Sequence, residues 1–219
     1  MGSIKPLIDL IKDNDSSSLQ QFEALMAITN LASTSDETKD RIVAEKGIST
    51  LSYAMFSDHE MVRRAGTEAL CNLVPHPAMM KYLANPENLR LWMAYAADYE
   101  GNFDCARAAS GCLAMSTQDS AVAATLVGLN SFREATTTLL ESGDLELMHR
   151  ILVMIENLVE QGGETKEAVI SAGLVAFCTA YADSYHGVGD AASLGFDSSL
   201  QGQLAVTVEL AKRIASFSE

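Results

Sequence analysis

Three asparagines and three arginines recur in this chain at nearly fixed intervals: Asn30, Asn72 and Asn157, and Arg64, Arg107 and Arg150. The asparagine register passes through Ala114 in steps of 42, 42 and 43 residues, and the arginines follow at 43 and 43. A primary amide offers a donor and an acceptor, so one per unit suits the backbone of an extended peptide. An amide near a helix C-terminus equally suits local carbonyls, and both readings stay open. Positions four, seven and eight before each register residue share its helical face. They add Phe22, Glu23 and Met26, then Arg64 and Glu68, then Arg107 and Ser110, then His149 and Arg150. A lone arginine there would be a solvated charge; recurrence at the unit length favours a ligand-binding stripe. The candidate groove therefore comprises Phe22, Met26, Asn30, Arg64, Glu68, Asn72, Arg107, Ser110, His149, Arg150 and Asn157.

Other chemistry is thin. The string from Gly187 to Ala192 fits a degenerate GxGxxA pattern, but that motif needs a strand before it. Here it follows a helical pattern over 177–185, which makes it a loop. His59, His76, His149 and His186 lack metal-ligand spacing. Cys71, Cys105, Cys112 and Cys178 form no CxxC pair and read as small core residues of a reducing compartment. Neither a serine elbow nor a P-loop is present. The expectation is a binding protein: no enzyme, no cofactor and no metal.

The elements that must position these residues are helices. Apolar residues recur at three and four, as in Phe22, Leu25, Met26, Ile28 and Leu31. Capping boxes are expected at Ser17 with Gln20, Ser131 with Glu134 and Ser198 with Gln201. The string ALMAITNLAS at 24–33 is echoed at 68–74 and 153–159, and more weakly at 111–115. DETKDRIVAEKG and GETKEAVISAG each predict a short helix closed by a glycine, Gly47 and Gly173. A period near 42 with three helices per unit is the armadillo signature. The fold expected is all-α, an armadillo-type solenoid coiled into a right-handed superhelix.

The best-marked unit has helices over 36–46, 48–56 and 60–74, with Asp58 placed to cap the third. Units are expected over about 35–76, 77–118, 119–161 and 162–219, the last carrying an insertion at Gly187 to Gly195. They follow a partial one over 1–34, with helices at 5–12 and 19–32. A chain opening part-way through a repeat is expected to be the C-terminal fragment of a longer solenoid, leaving Leu7, Leu10 and Ile11 without a neighbour. Leu31, Leu70, Leu73, Leu113, Ile155 and Leu158 are expected in the core.

The 219 residues carry 29 acidic against 15 basic side chains, a net charge of −14. That excess repels phosphate backbones and anionic headgroups, which argues against nucleic acid and membranes and suits a basic partner. No apolar run is long enough to span a bilayer and no signal-peptide pattern opens the chain, so the expected location is cytoplasmic.

FEALMAITNLAS (22–33), RIVAEKGIS (41–49) and YAMFSDHEMVRRAGTEALCNLV (53–74) resemble the C-terminal part of the UCS domain of animal-type myosin chaperones. NLRLWMAYAAD (88–98), AASGCLAM (108–115) and MHRILVMIENLVE (148–160) extend the likeness more faintly. The resemblance implies a superhelix of armadillo repeats that binds the myosin motor domain and assists its folding or protection without ATP hydrolysis. It also implies a heat-shock chaperone as partner, engaged through a TPR domain whose signature this chain does not carry. The alternative is a generic armadillo peptide-binding adaptor without chaperone activity.

Overall fold

The computed structural model describes residues 4–185 and 198–218 of the chain. The GxGxxA string, the 187–195 insertion, His186 and the side chain of Ser198 lie outside the described residues. In chain order the helices are α1 (Ile4–Lys12), α2 (Ser18–Ala32), α3 (Asp36–Ala44), α4 (Gly47–Ala54), α5 (Glu60–Asn72), α6 (Pro77–Leu83) and α7 (Pro86–Ala97). They continue as α8 (Phe103–Ser116), α9 (Ser120–Val127), α10 (Phe132–Leu140), α11 (Leu145–Gln161), α12 (Gly163–Ser171), α13 (Leu174–Ser184) and α14 (Ser198–Ala215), with a 3-10 turn at Ser216–Ser218.

Local chemistry sets most of the helix starts. Ser17 and Gln20 exchange side-chain and backbone bonds in a full capping box on α2. Asn85, Asn102, Asp119 and Asp144 accept from the first free N–H groups of α7, α8, α9 and α11. Pro77 and Pro86 open α6 and α7, where a missing N–H costs no bond.

Three expected caps are corrected. Asp58 does not cap α5, because His59 occupies that position; the carbonyls of Ser57 and Asp58 instead accept from Arg63. Ser131 already has helical backbone angles, so its hydroxyl cannot reach back to the third N–H of α10. Gly47 is not the left-handed residue after α3: Lys46 takes that conformation, at φ 62°. Gly47 is small for another reason, since a Cβ there would lie 2.4 Å from Ile42 Cγ2. Gly173, at φ 79°, does close α12 in the expected way.

Helices α2, α5, α8, α11 and α14 pack consecutively as one layer of third helices, and α1 on α4 and α7 on α10 build the layer behind. The arrangement is an armadillo-type α-solenoid. One apolar core runs from Ile4 to Ile214, with Trp92 fully buried within it. Leu70, Leu73, Leu113, Ile155 and Leu158 are fully buried as expected, while Leu31 is half-buried at the layer edge. Ile11 also departs from expectation: with Ile4 and Ile8 it points into the core, leaving Leu7 and Leu10 half-buried.

Candidate functional site: the face of the third helices

Because α2, α5, α8 and α11 lie side by side, residues about 43 apart in sequence become neighbours across a helix pair. Asn72 Nδ2 donates to the carbonyl of Thr29, 3.1 Å away on α2. Asn157 repeats the arrangement one unit pair later, donating to the Ala114 carbonyl at 2.8 Å and to Thr117 Oγ1 at 3.1 Å. Gln161 adds a bond to the Gln118 carbonyl at 3.0 Å. These amides tie successive third helices together. Neither Asn72 nor Asn157 has a partner on Oδ1 among the described residues, so each keeps an acceptor. Asn30, at the same register on α2, is exposed.

The arginines form a second ladder, nearer the helix N-termini. Arg64 donates through Nε to Glu68 at 3.0 Å and through Nη1 to Asp104 at 2.7 Å, joining α5 to α8. The hydrogen bond to Glu68, together with both nearby carboxylates, raises the Arg64 pKa against the opposing effect of partial burial. Arg107 stands 3.8 Å from Glu68 on one side and 3.8 Å from Glu146 on the other, beyond hydrogen-bond length to either. Arg150 pairs with Glu146 and also donates to the Arg107 carbonyl. Its guanidinium covers Gly111, where a Cβ would come within 2.9 Å of Nη1.

The ladder therefore alternates in sign: Asp104, Arg64, Glu68, Arg107, Glu146, Arg150. It is electrically balanced, whereas the arginines alone suggested a basic stripe. Asp104 and Glu146 escaped the sequence reading. Glu146 had a signal, standing four residues before Arg150 on one helix, and Asp104 precedes it by the repeat length of 42; the pairing of Asp104 with Arg64, 40 residues away, had none.

The remaining candidates divide. Phe22 and Met26 are half-buried against the core beneath α2. His149 is half-buried and lines a hollow of about 280 Å³ with Leu145, Glu146, Gln203 and Val206, between α11 and α14. Ser110 is corrected: it is fully buried on α8, and its hydroxyl donates to the Arg107 carbonyl at 3.0 Å. Its place in the stripe is taken by Gly111 beneath Arg150.

The thiols lack the setting of a nucleophile. Burial pushes Cys71 up to about 11 and Cys178 up to about 12, the direction opposite to thiolate activation. Among the described residues no helix is long and apolar enough to cross a membrane, and no group of three or more His, Cys, Asp or Glu could hold a metal ion.

No family model matches the chain. Protein unc-45 homolog B of Mus musculus is 30% identical over 183 residues, covering 80% of this chain and 19% of that protein. UNC-45 from Drosophila melanogaster superposes with a TM-score of 0.84 at 25% identity, over 98% of this chain and 25% of that one. The chain is homologous to part of UNC-45. It spans about a fifth of the length of the curated relatives it matches, which agrees with the resemblance to part of a UCS domain. The myosin chaperone UNC-45 from C. elegans, solved with an Hsp90 peptide, matches at 26% identity and a TM-score of 0.73, over 94% of this chain and 22% of that one. A designed armadillo repeat protein in complex with a (KR)4 peptide shares the fold at 18% identity and a TM-score of 0.76, over 96% of this chain and 82% of that one. Chaperones and an armadillo-repeat binder, rather than enzymes, are thus the company this UNC-45-like chain keeps.

Proposed function

We propose that the third-helix face is a client-binding surface for the myosin motor domain, acting in the cytoplasm and without ATP hydrolysis. The observation that supports this reading most is the state of Arg107. It sits in the middle of the ladder with its side chain 35% exposed, held by two carboxylates at 3.8 Å and hydrogen-bonded to neither. A client carbonyl or carboxylate can therefore reach it without breaking a bond already made, and charge-assisted bonds are the strong ones. The Oδ1 acceptors of Asn72 and Asn157 and the exposed amide of Asn30 can take backbone groups of an extended segment. Phe22 and Met26 offer partly covered apolar surface to its side chains. Homology to UNC-45 supports a myosin client, since the C. elegans relative is a myosin chaperone. The Hsp90 peptide belongs to that relative's structure, and the surface proposed here concerns only the client.

Suppression of heat-induced aggregation of a myosin motor domain, measured without nucleotide, tests the reading. Protection beyond that given by an unrelated armadillo protein is expected. Equal protection from both would favour a generic peptide-binding adaptor.

A further inference from the structure

A second periodicity lies at the N-terminal ends of the same helices. Leu19, Met61, Phe103 and Leu145 are each the first or second residue of α2, α5, α8 and α11, and they follow one another at 42, 42 and 42. Three of them are solvent-exposed: Leu19 by 64%, Met61 by 48% and Phe103 by 41%. The end of α4 and the turn after it add two more apolar groups, Tyr53 at 76% and Phe56 at 57%. Beside Tyr53 and Phe56 lies a hollow of about 250 Å³ whose lining mixes Ile11 and Val62 with Asn14, Gln21, Ser57 and Asp58. Single exposed apolar residues are ordinary, but a contiguous apolar edge marks a site of interaction.

Exposed carboxylates predominate beside this edge. Asp58 and Glu60 precede Met61, Asp98 and Glu100 precede Phe103, and Asp13 and Asp15 precede Leu19; all six are exposed. Among the described residues Asp58, Glu60, Asp98 and Glu100 form no ion pair, and Arg63 spends its guanidinium on the carbonyls of Ser57 and Asp58. An apolar edge framed by unpaired carboxylates fits a partner that is apolar on one side and cationic around it.

Spacing selects that partner's conformation. Packed helices lie about 8–10 Å apart, so the rungs repeat at about that distance. An α-helix advances about 10.5 Å in seven residues and returns close to the same face. An extended strand covers about 10 Å in three residues, but an odd step turns the side chain to the opposite face.

We propose that the N-terminal ends of the third helices form a docking rim for a basic amphipathic α-helix, which sets one apolar side chain per heptad against Leu19, Met61 and Phe103. The rim lies one turn before the arginine ladder on the same helices and does not depend on the identity of the client proposed above.

The test uses the full chain and a synthetic helix-forming peptide of roughly three heptads, about 30 Å long, with leucine at every seventh position and flanking lysines. Fluorescence anisotropy should show binding that weakens with salt. The double variant Met61→Ser with Phe103→Ser should weaken it about tenfold or more with the thermal midpoint unchanged, because both side chains are exposed. A scrambled peptide of equal composition should bind at least about tenfold more weakly. Equal binding by the scrambled peptide, or by the double variant, overturns the rim. Loss of binding in Arg107→Ala with the rim variant unaffected would place the peptide on the ladder and overturn it too. Concentration-dependent dimers in sedimentation, abolished by the rim variant, would make a second copy the occupant and overturn the helical partner.

Discussion

The joint between α5 and α8 and the joint between α8 and α11 bury the same kind of apolar surface but are tied by different polar chemistry. Across α5–α8 the ties are ionic: Arg64 to Asp104 at 2.7 Å, and Arg107 facing Glu68 at 3.8 Å. Across α8–α11 they are chiefly donors to carbonyls, from Asn157, Gln161 and Arg150. One residue of the asparagine register accounts for much of this. Where α5 and α11 carry Asn72 and Asn157, α8 carries Ala114, which has no donor to offer the helix before it. Part-exposed ion pairs contribute little and are screened by salt, whereas an amide bonded to a shielded carbonyl is insensitive to it. The face is not uniform: its ionic ties, with Arg107 between Glu68 and Glu146, are the ones that a charged client can rearrange most cheaply.

Leu113→Ala should have the largest effect on stability. Its side chain is fully buried on α8, the helix common to both joints, so a loss of about 2–5 kcal/mol is expected in urea denaturation. That loss should be the same at low and high salt; a strong salt dependence would mean that the two joints are not built on one apolar core. Asn157→Ala comes next, at about 1–3 kcal/mol, because it strips a donor from the Ala114 carbonyl. Its cost should also survive about 0.5 M salt, which separates it from the ionic joint.

Those two expectations rest on features with unequal visibility in the sequence. The register of the third helices and the buried leucines at 70, 73, 113 and 158 follow from apolar periodicity, which reports what a helix turns inward. The candidate stripe was legible as a set of positions, since Arg64, Arg107 and Arg150 do come together on adjacent helices. Their partners were not. Asp104 meets Arg64 across 40 residues, and the carbonyl of Thr29 meets Asn72 across 43. Such pairs depend on how two helices are packed against each other, which no single-helix pattern encodes. Ser110 failed for a related reason: a residue on the right face of its own helix is buried when neighbouring helices close over it. Asp58 missed the cap of α5 by one residue, a shift within the ordinary uncertainty of helix boundaries.

Smaller effects sharpen the contrast. Arg64→Ala should cost about 1 kcal/mol or less at low salt and almost nothing at about 0.5 M, read from the thermal midpoint in both buffers. A cost unchanged by salt would show that the Asp104 contact is shielded and the two joints equivalent. Arg107→Ala should be smaller still for folding, about 0.5 kcal/mol or less, because its pairs are long and part-exposed.

That small folding cost is what makes Arg107 the decisive position. The most direct measurement is the dissociation constant of a myosin motor domain for the chain and for Arg107→Ala, each over a range of salt concentrations. In Arg107→Ala binding should weaken about five- to tenfold, with a shallower salt dependence and an unchanged thermal midpoint. Wild-type affinity and wild-type salt dependence in Arg107→Ala would contradict it, and would remove the third-helix face as the client site.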